Sequence, residues 1–161
     1  MGRLNMTAVD ELDLVAFSFF REFARCEYCL KAVGLLLGAP NNPKADWGAF
    51  AAQVMAVFDE PPNVETNDAI RYYLAHPPMK QVFFDGVLSW SNAPPNYRNQ
   101  AELVLLLVRR VRNNLFHGGK FNGHWFEPQR SEELLRGGLV ILRAVILSHS
   151  KVHDAYENRA D

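Results

Sequence analysis

The stretch N-Q-A-E-L-V-L-L-L-V-R-R-V-R-N-N-L-F-H-G-G, residues 99–119, decides the fold. Leu103, Leu107, Val111 and Leu115 recur every four residues, the spacing of one face of an α-helix. Asn96 or Asn99 opens this helix, and Gly118-Gly119 ends it near His117. A second long helix is expected over residues 10–37. Asp10 reads as its N-cap with Asp13 three residues on, and Gly38 and Pro40 stop it. Its apolar residues form two stripes: Leu12, Val15, Phe19, Cys26, Cys29 and Val33 on one, Phe20, Phe23 and Leu30 on the other. A helix apolar on two sides packs against two partners, which places this one centrally.

The rest of the chain is cut by proline and glycine clusters at 38–43, 60–63, 76–78, 92–96 and 117–128. Helices are expected between them over 45–58, 67–75 and 79–88. A last one is capped by Ser131, carries Glu132 and Glu133 in its first turn, and runs past His149. Strict alternation of apolar and polar residues is nearly absent, which argues against strands. The expected fold is all-α: one domain over residues 1–161, with two long central helices and shorter accessory ones.

Composition narrows the function. Of the 161 residues, 48% are hydrophobic and 22% charged, which excludes a disordered or low-complexity chain. Lys and Arg number 17 against 18 Asp and Glu, so coating nucleic acid through bulk charge is excluded. A chain of this length buries about 68–70% of its unfolded surface and needs neither disulfide nor metal to fold. The start of the chain does not read as a signal peptide, and no run approaches the roughly 20 apolar residues of a spanning helix. A soluble, cytoplasmic protein away from membranes is expected.

The charge is unevenly placed. Between Gly86 and Phe126 the acids reduce to Glu102, against Arg98, Arg109, Arg110, Arg112 and Lys120, with His117 and His124 beside them. Cations near a helix C-terminus match its dipole, and a solvated basic face is the plain reading. The string inside the cluster, R-N-N-L-F-H-G-G-K from Arg112 to Lys120, adds chemistry to it. Asn113 and His117 are i and i+4, so the amide can orient the imidazole. Arg112 lies about 140° around an ideal helix from His117, and the glycine pair can unwind the last turn to bring the two together. A guanidinium fork binds two non-bridging phosphate oxygens at once, and an imidazole moves a proton at neutral pH.

Arg112-Asn113-x-x-x-His117 resembles the R-x4-6-H motif of the HEPN superfamily, in which the residue after the arginine is commonly polar. F-S-F-F-R-E-F-A-R-C-E-Y-C-L-K, residues 17–31, is similar to the aromatic-rich opening helix of many members, with Glu27 at the place of its embedded acid. The resemblance covers this helix and the long helix 96–117, and leaves 40–95 without a family signal. It implies an all-helical fold that dimerises so that two motifs face one cleft. Many members are metal-independent endoribonucleases, often toxins or antiviral effectors. Others bind without cutting. Several active members carry a basic or aromatic residue two positions after the histidine; here that position is Gly119, with Lys120 one later.

From this resemblance Arg112, His117 and Asn113 are the expected catalytic residues, with Arg109 and Lys120 contacting nucleic acid. RNA, a second copy of the chain and a cognate antitoxin are the expected partners, without cofactor or metal. Neutral His117 would take the 2′-hydroxyl proton while Arg112 stabilises charge on the phosphorane oxygens. The product would be a 2′,3′-cyclic phosphate, and DNA, which lacks the internal nucleophile, would resist. A non-catalytic module that holds RNA or nucleotide phosphate is the alternative, and a plain helical bundle a third.

Other constellations carry less. Cys26-x-x-Cys29 lies on the apolar stripe and reads as core. His149 and His153 have the i, i+4 spacing that can grip a metal, but lack the glutamate of H-E-x-x-H and read as a frayed polar end. Gly34-x-x-x-Gly38 reads as a close helix crossing. Glu27, on a mostly apolar stripe, should find a cation: Arg21, Arg25 or Lys31 nearby, or Arg109 or Arg112 across a helix contact.

Overall fold

The computed structural model describes residues 8–116 and 127–158. Their elements are α1 (Ala8–Ala32), β1 (Leu36–Leu37), β2 (Lys44–Ala45), α2 (Trp47–Gln53), α3 (Met55–Asp59), α4 (Val64–Ala75), β3 (Lys80–Phe84), β4 (Val87–Ser91), α5 (Gln100–Phe116), α6 (Pro128–Ser148) and α7 (Ser150–Tyr156). The fold is mainly helical, with β1–β2 and β3–β4 as two antiparallel pairs.

Helix α1 is central, as its two apolar stripes require, and packs on α5, α6 and α7. Its Phe19, Phe23, Cys26 and Leu30 are fully enclosed, together with Val104, Leu105 and Val108 of α5 and Ile141, Leu142 and Val145 of α6. The Phe23 ring stacks on Trp47 with centroids 5.1 Å apart. Close approach of α6 to α1 and α4 depends on Gly138, where an added Cβ would lie 2.6 Å from Phe19 Cε2 and 2.8 Å from the Tyr73 hydroxyl oxygen. That hydroxyl donates to the Leu134 carbonyl at 2.5 Å, so the one polar atom of a fully buried ring is satisfied.

Several expected boundaries move. Helix α1 is already formed at Ala8, so Asp10 is inside it and not its cap. It stops at Ala32 instead of residue 37, because Gly34 takes φ +89° and turns the chain so that Leu36–Leu37 can pair with Lys44–Ala45. Gly38, at φ +94°, lies where a Cβ would meet the Asn42 carbonyl oxygen at 2.6 Å. Gly34 and Gly38 are therefore turn positions and not a helix crossing. The helix expected over 45–58 is two, α2 capped by Asp46 and α3, separated at Val54. Asn63 caps α4 by accepting from Thr66 N at 2.8 Å, three residues earlier than expected.

The largest correction lies at 79–88. This stretch forms a hairpin, with Lys80 opposite Ser91 and Phe84 opposite Val87. Asp85 and Gly86 both have positive φ, 50° and 74°, the backbone of a two-residue type I′ turn. Asn99 opens α5, its side chain accepting from Glu102 N at 2.9 Å. Helix α6 begins at Pro128, so Ser131 is buried in its second turn and does not cap it. It ends at Ser148, and His149 caps a separate α7: its Nδ1 accepts from Val152 N at 3.3 Å and its Nε2 pairs with Gln53 Oε1 at 2.6 Å. The segment 149–156 is thus a capped helix and not frayed. Arg25 reaches it from α1, donating to the Tyr156 carbonyl at 2.6 Å and lying 3.9 Å over its ring, while the Tyr156 hydroxyl donates to buried Glu22.

Candidate functional site

Helix α5 turns a different chemistry to each side. Val104, Leu105, Val108 and Val111 face the core. Arg110 and Asn114, one turn apart, face the base of the β3–β4 hairpin. Arg110 Nη1 donates to the carbonyls of Pro78 at 3.3 Å and Ala93 at 3.1 Å, and Asn114 Nδ2 donates to the carbonyl of Met79 at 2.9 Å. Arg130 of α6 takes the neighbouring Pro77 carbonyl at 2.8 Å. Three successive carbonyls before β3 and one after β4 are held by side chains. Arg110 is 9% exposed, and burial lowers its pKa below the ordinary arginine value. It is a structural clamp, a role hidden in sequence inside an Arg-Arg pair that read as solvated charge.

Arg112 and Asn113 lie on the remaining sides of the last turns. Arg112 Nη1 donates to Asn113 Oδ1 at 2.9 Å. Its guanidinium carbon lies 5.8 Å from the ring centre of Phe23 and 5.2 Å from that of Phe116, within cation–π reach of both. The Asn113 oxygen thus serves the arginine. Glu102, the acid of this quarter of the chain, is taken by Arg98 through its carboxylate at 3.1 Å and through the Arg98 N–H at 2.8 Å, which holds its carboxyl below the usual range. The ion pairs among the described residues include neither Arg109 nor Arg112. His117 and Lys120 lie outside the described residues.

Exposed Arg109 and half-buried Asn113 line a groove of about 720 Å³ between α5 and the hairpin. On the α1 side of the same turns, Asp13, Ala16, Phe17, Phe20, Leu115 and Phe116 line an open and mostly apolar depression, with Phe17 64% and Phe116 63% exposed. Among the described residues Glu27 pairs with no cation: Trp47 Nε1 donates to its Oε1 at 3.1 Å, so a neutral indole stands in place of the expected ion pair. Cys26 and Cys29 are buried free thiols whose pKa values burial raises, which suits packing and not nucleophilic chemistry. Among the described residues no group of three His, Cys, Asp or Glu is placed to hold a metal ion, and no helix is long and apolar enough to cross a membrane. No family model, curated protein or solved structure matches the chain.

Proposed function

We propose that this protein is a metal-independent endoribonuclease of HEPN type, with a composite site built by two copies of the chain. The observation that carries the reading is Arg112. It stands in the last turn of α5, ordered by one hydrogen bond to Asn113 and by two aromatic rings, outside every ion pair among the described residues. A guanidinium has five N–H donors, so one bond to an amide leaves it able to grip a phosphate. A neutral acceptor leaves its charge intact, whereas a carboxylate would cancel it.

In this reading His117 accepts the 2′-hydroxyl proton, and the 2′-oxygen bonds to phosphorus as the bond from phosphorus to the 5′-oxygen breaks. His117 of the second copy gives the leaving oxygen its proton. Arg112 stabilises the oxygens of the phosphorane. One histidine as base and one as acid makes the rate profile bell-shaped around neutrality. The apolar depression beside Arg112 supports a dimer, since exposed phenylalanines at this density suit cover by a second copy.

The test is incubation of RNA with wild type, His117→Ala and Arg112→Ala in EDTA. Wild type cuts; His117→Ala cuts about 10²–10⁴-fold more slowly with RNA affinity nearly intact. Wild type that binds RNA and never cuts it establishes instead the non-catalytic module, a reading favoured by the packing of Arg112 between Phe23 and Phe116, which gives the side chain a structural use.

A further inference from the structure

The groove between α5 and the β3–β4 hairpin carries positive charge. Its volume, about 720 Å³, falls within the roughly 300–1,000 Å³ typical of ligand sites. Lys80, Arg109 and Arg110 give its lining positive charge, and among the described residues that lining contains neither Asp nor Glu. Arg110 is committed to two carbonyls, so Lys80 and Arg109, both exposed, are the cations left to meet phosphates. Gln81 and Asn96 add amides, each offering a donor and an acceptor of the kind that reads a base edge, and Asn113 adds its amide N–H donors, its oxygen being held by Arg112.

The hairpin adds a stacking surface. Lys80, Val82 and, across the ladder, Ser91 line the groove from one face of the hairpin, and Gln81 reaches it from the other; alternation puts Phe84 on the first face, two residues past Val82 and outside the lining. Phe84 is 71% exposed, an aromatic ring held out by a hairpin whose base is clamped by Arg110 and Asn114. Phe83, equally exposed at 74%, projects from the opposite face. Asn113 belongs both to the groove and to the hydrogen bond with Arg112, so a strand lying in the groove leads to that guanidinium.

Resting on the ribonuclease reading, we propose that this groove binds single-stranded RNA, with phosphates on Arg109 and Lys80 and an unstacked base against Phe84. A duplex keeps its bases paired and stacked, and so cannot offer one to the ring or to the amides.

The experiment is fluorescence anisotropy of a labelled single-stranded RNA, free or annealed to its complement, with the full chain carrying His117→Ala to prevent cleavage. The single strand binds at least about tenfold more tightly than the duplex. Phe84→Ala weakens single-strand binding about fivefold or more, the range of one lost base stack. Arg109→Ala weakens it and lowers the salt slope by about 0.7. Phe83→Ala changes nothing. Equal effects of Phe83→Ala and Phe84→Ala, a duplex bound as tightly, or hairpin variants that alter sedimentation and not RNA affinity overturn the groove; the last marks the hairpin as a protein-docking surface. If wild type cuts RNA while groove variants bind normally, the groove is wrong and the nuclease stands. If groove variants lose binding while wild type never cuts, the groove stands and the nuclease falls. Wild type that binds no RNA removes both.

Discussion

Arg112 Nη1 donates to Asn113 Oδ1 at 2.9 Å, a bond between adjacent residues that aims a guanidinium from the last turn of α5 without neutralising it. Replacing either partner separates aim from charge. Asn113→Ala releases the fork and should slow RNA cleavage a few-fold. Asn113→Asp keeps an acceptor in place but supplies a countercharge, and should slow cleavage more than alanine does. Single-turnover rates of the two variants decide; an aspartate variant faster than the alanine one would show that orientation, and not free charge, matters.

Lysine cannot reproduce a planar fork. Arg112→Lys should therefore lower cleavage about 10²-fold, the scale of losing one stabilising donor in an acyl- or phosphoryl-transfer site. Arg109→Lys retains the groove's charge and should cost less than about threefold. Equal losses in the two rates would mean that charge alone is being read.

The α1–α5 depression should be covered in solution. Sedimentation at micromolar concentration should show a dimer, and Phe17→Arg, which puts a charge at an exposed ring of that depression, should give a folded monomer without activity. A monomeric wild type, or an active monomeric variant, contradicts the composite site.

Arg110 holds the hairpin by two carbonyls from a buried position. Arg110→Ala should cost about 2–3 kcal/mol, the scale of buried bonds from a charged donor, and should raise amide exchange across residues 80–91 more than in α1. Asn114→Ala, which removes one bond to Met79, should cost about 1 kcal/mol.

The adjacent glycines of α6 should respond oppositely. At Gly138 a methyl group meets Phe19 and Tyr73 at 2.6 and 2.8 Å, and both are fully buried, so Gly138→Ala should destabilise by about 1–3 kcal/mol. At Gly137 the nearest atom is 3.4 Å away, so Gly137→Ala should be neutral or gain up to about 1 kcal/mol of helix propensity. Urea midpoints of the two variants check both signs.

The long helices were legible because their apolar residues repeat at helical spacing over many turns, and Asn99 could be named as a cap from its residue type. The hairpin was not, because its tip is exposed on both faces: Phe83, Phe84, Val87 and Leu88 form no alternating pattern against polar neighbours. The two-residue Asp85-Gly86 turn was the signal that could have found it. The breaks at Val54 and His149 depend on packing and on a side-chain bond to Gln53, which no local rule encodes. Arg112 and Asn113 are neighbours in sequence and a guanidinium can only donate, so a bond from Arg112 to the Asn113 oxygen was readable, though the i, i+4 spacing points to His117 instead. The clamps by Arg110 and Asn114 join residues 17 to 35 positions apart and became visible only with the fold.

The most direct measurement uses one labelled RNA and its all-deoxy counterpart, incubated with wild type in EDTA, with the 3′ end of any product identified. Cleavage of the RNA alone, undiminished by the chelator and ending in a 2′,3′-cyclic phosphate, is the predicted result. Cleavage of the DNA, loss of activity in EDTA, or a product ending in a free 3′-hydroxyl would contradict the account.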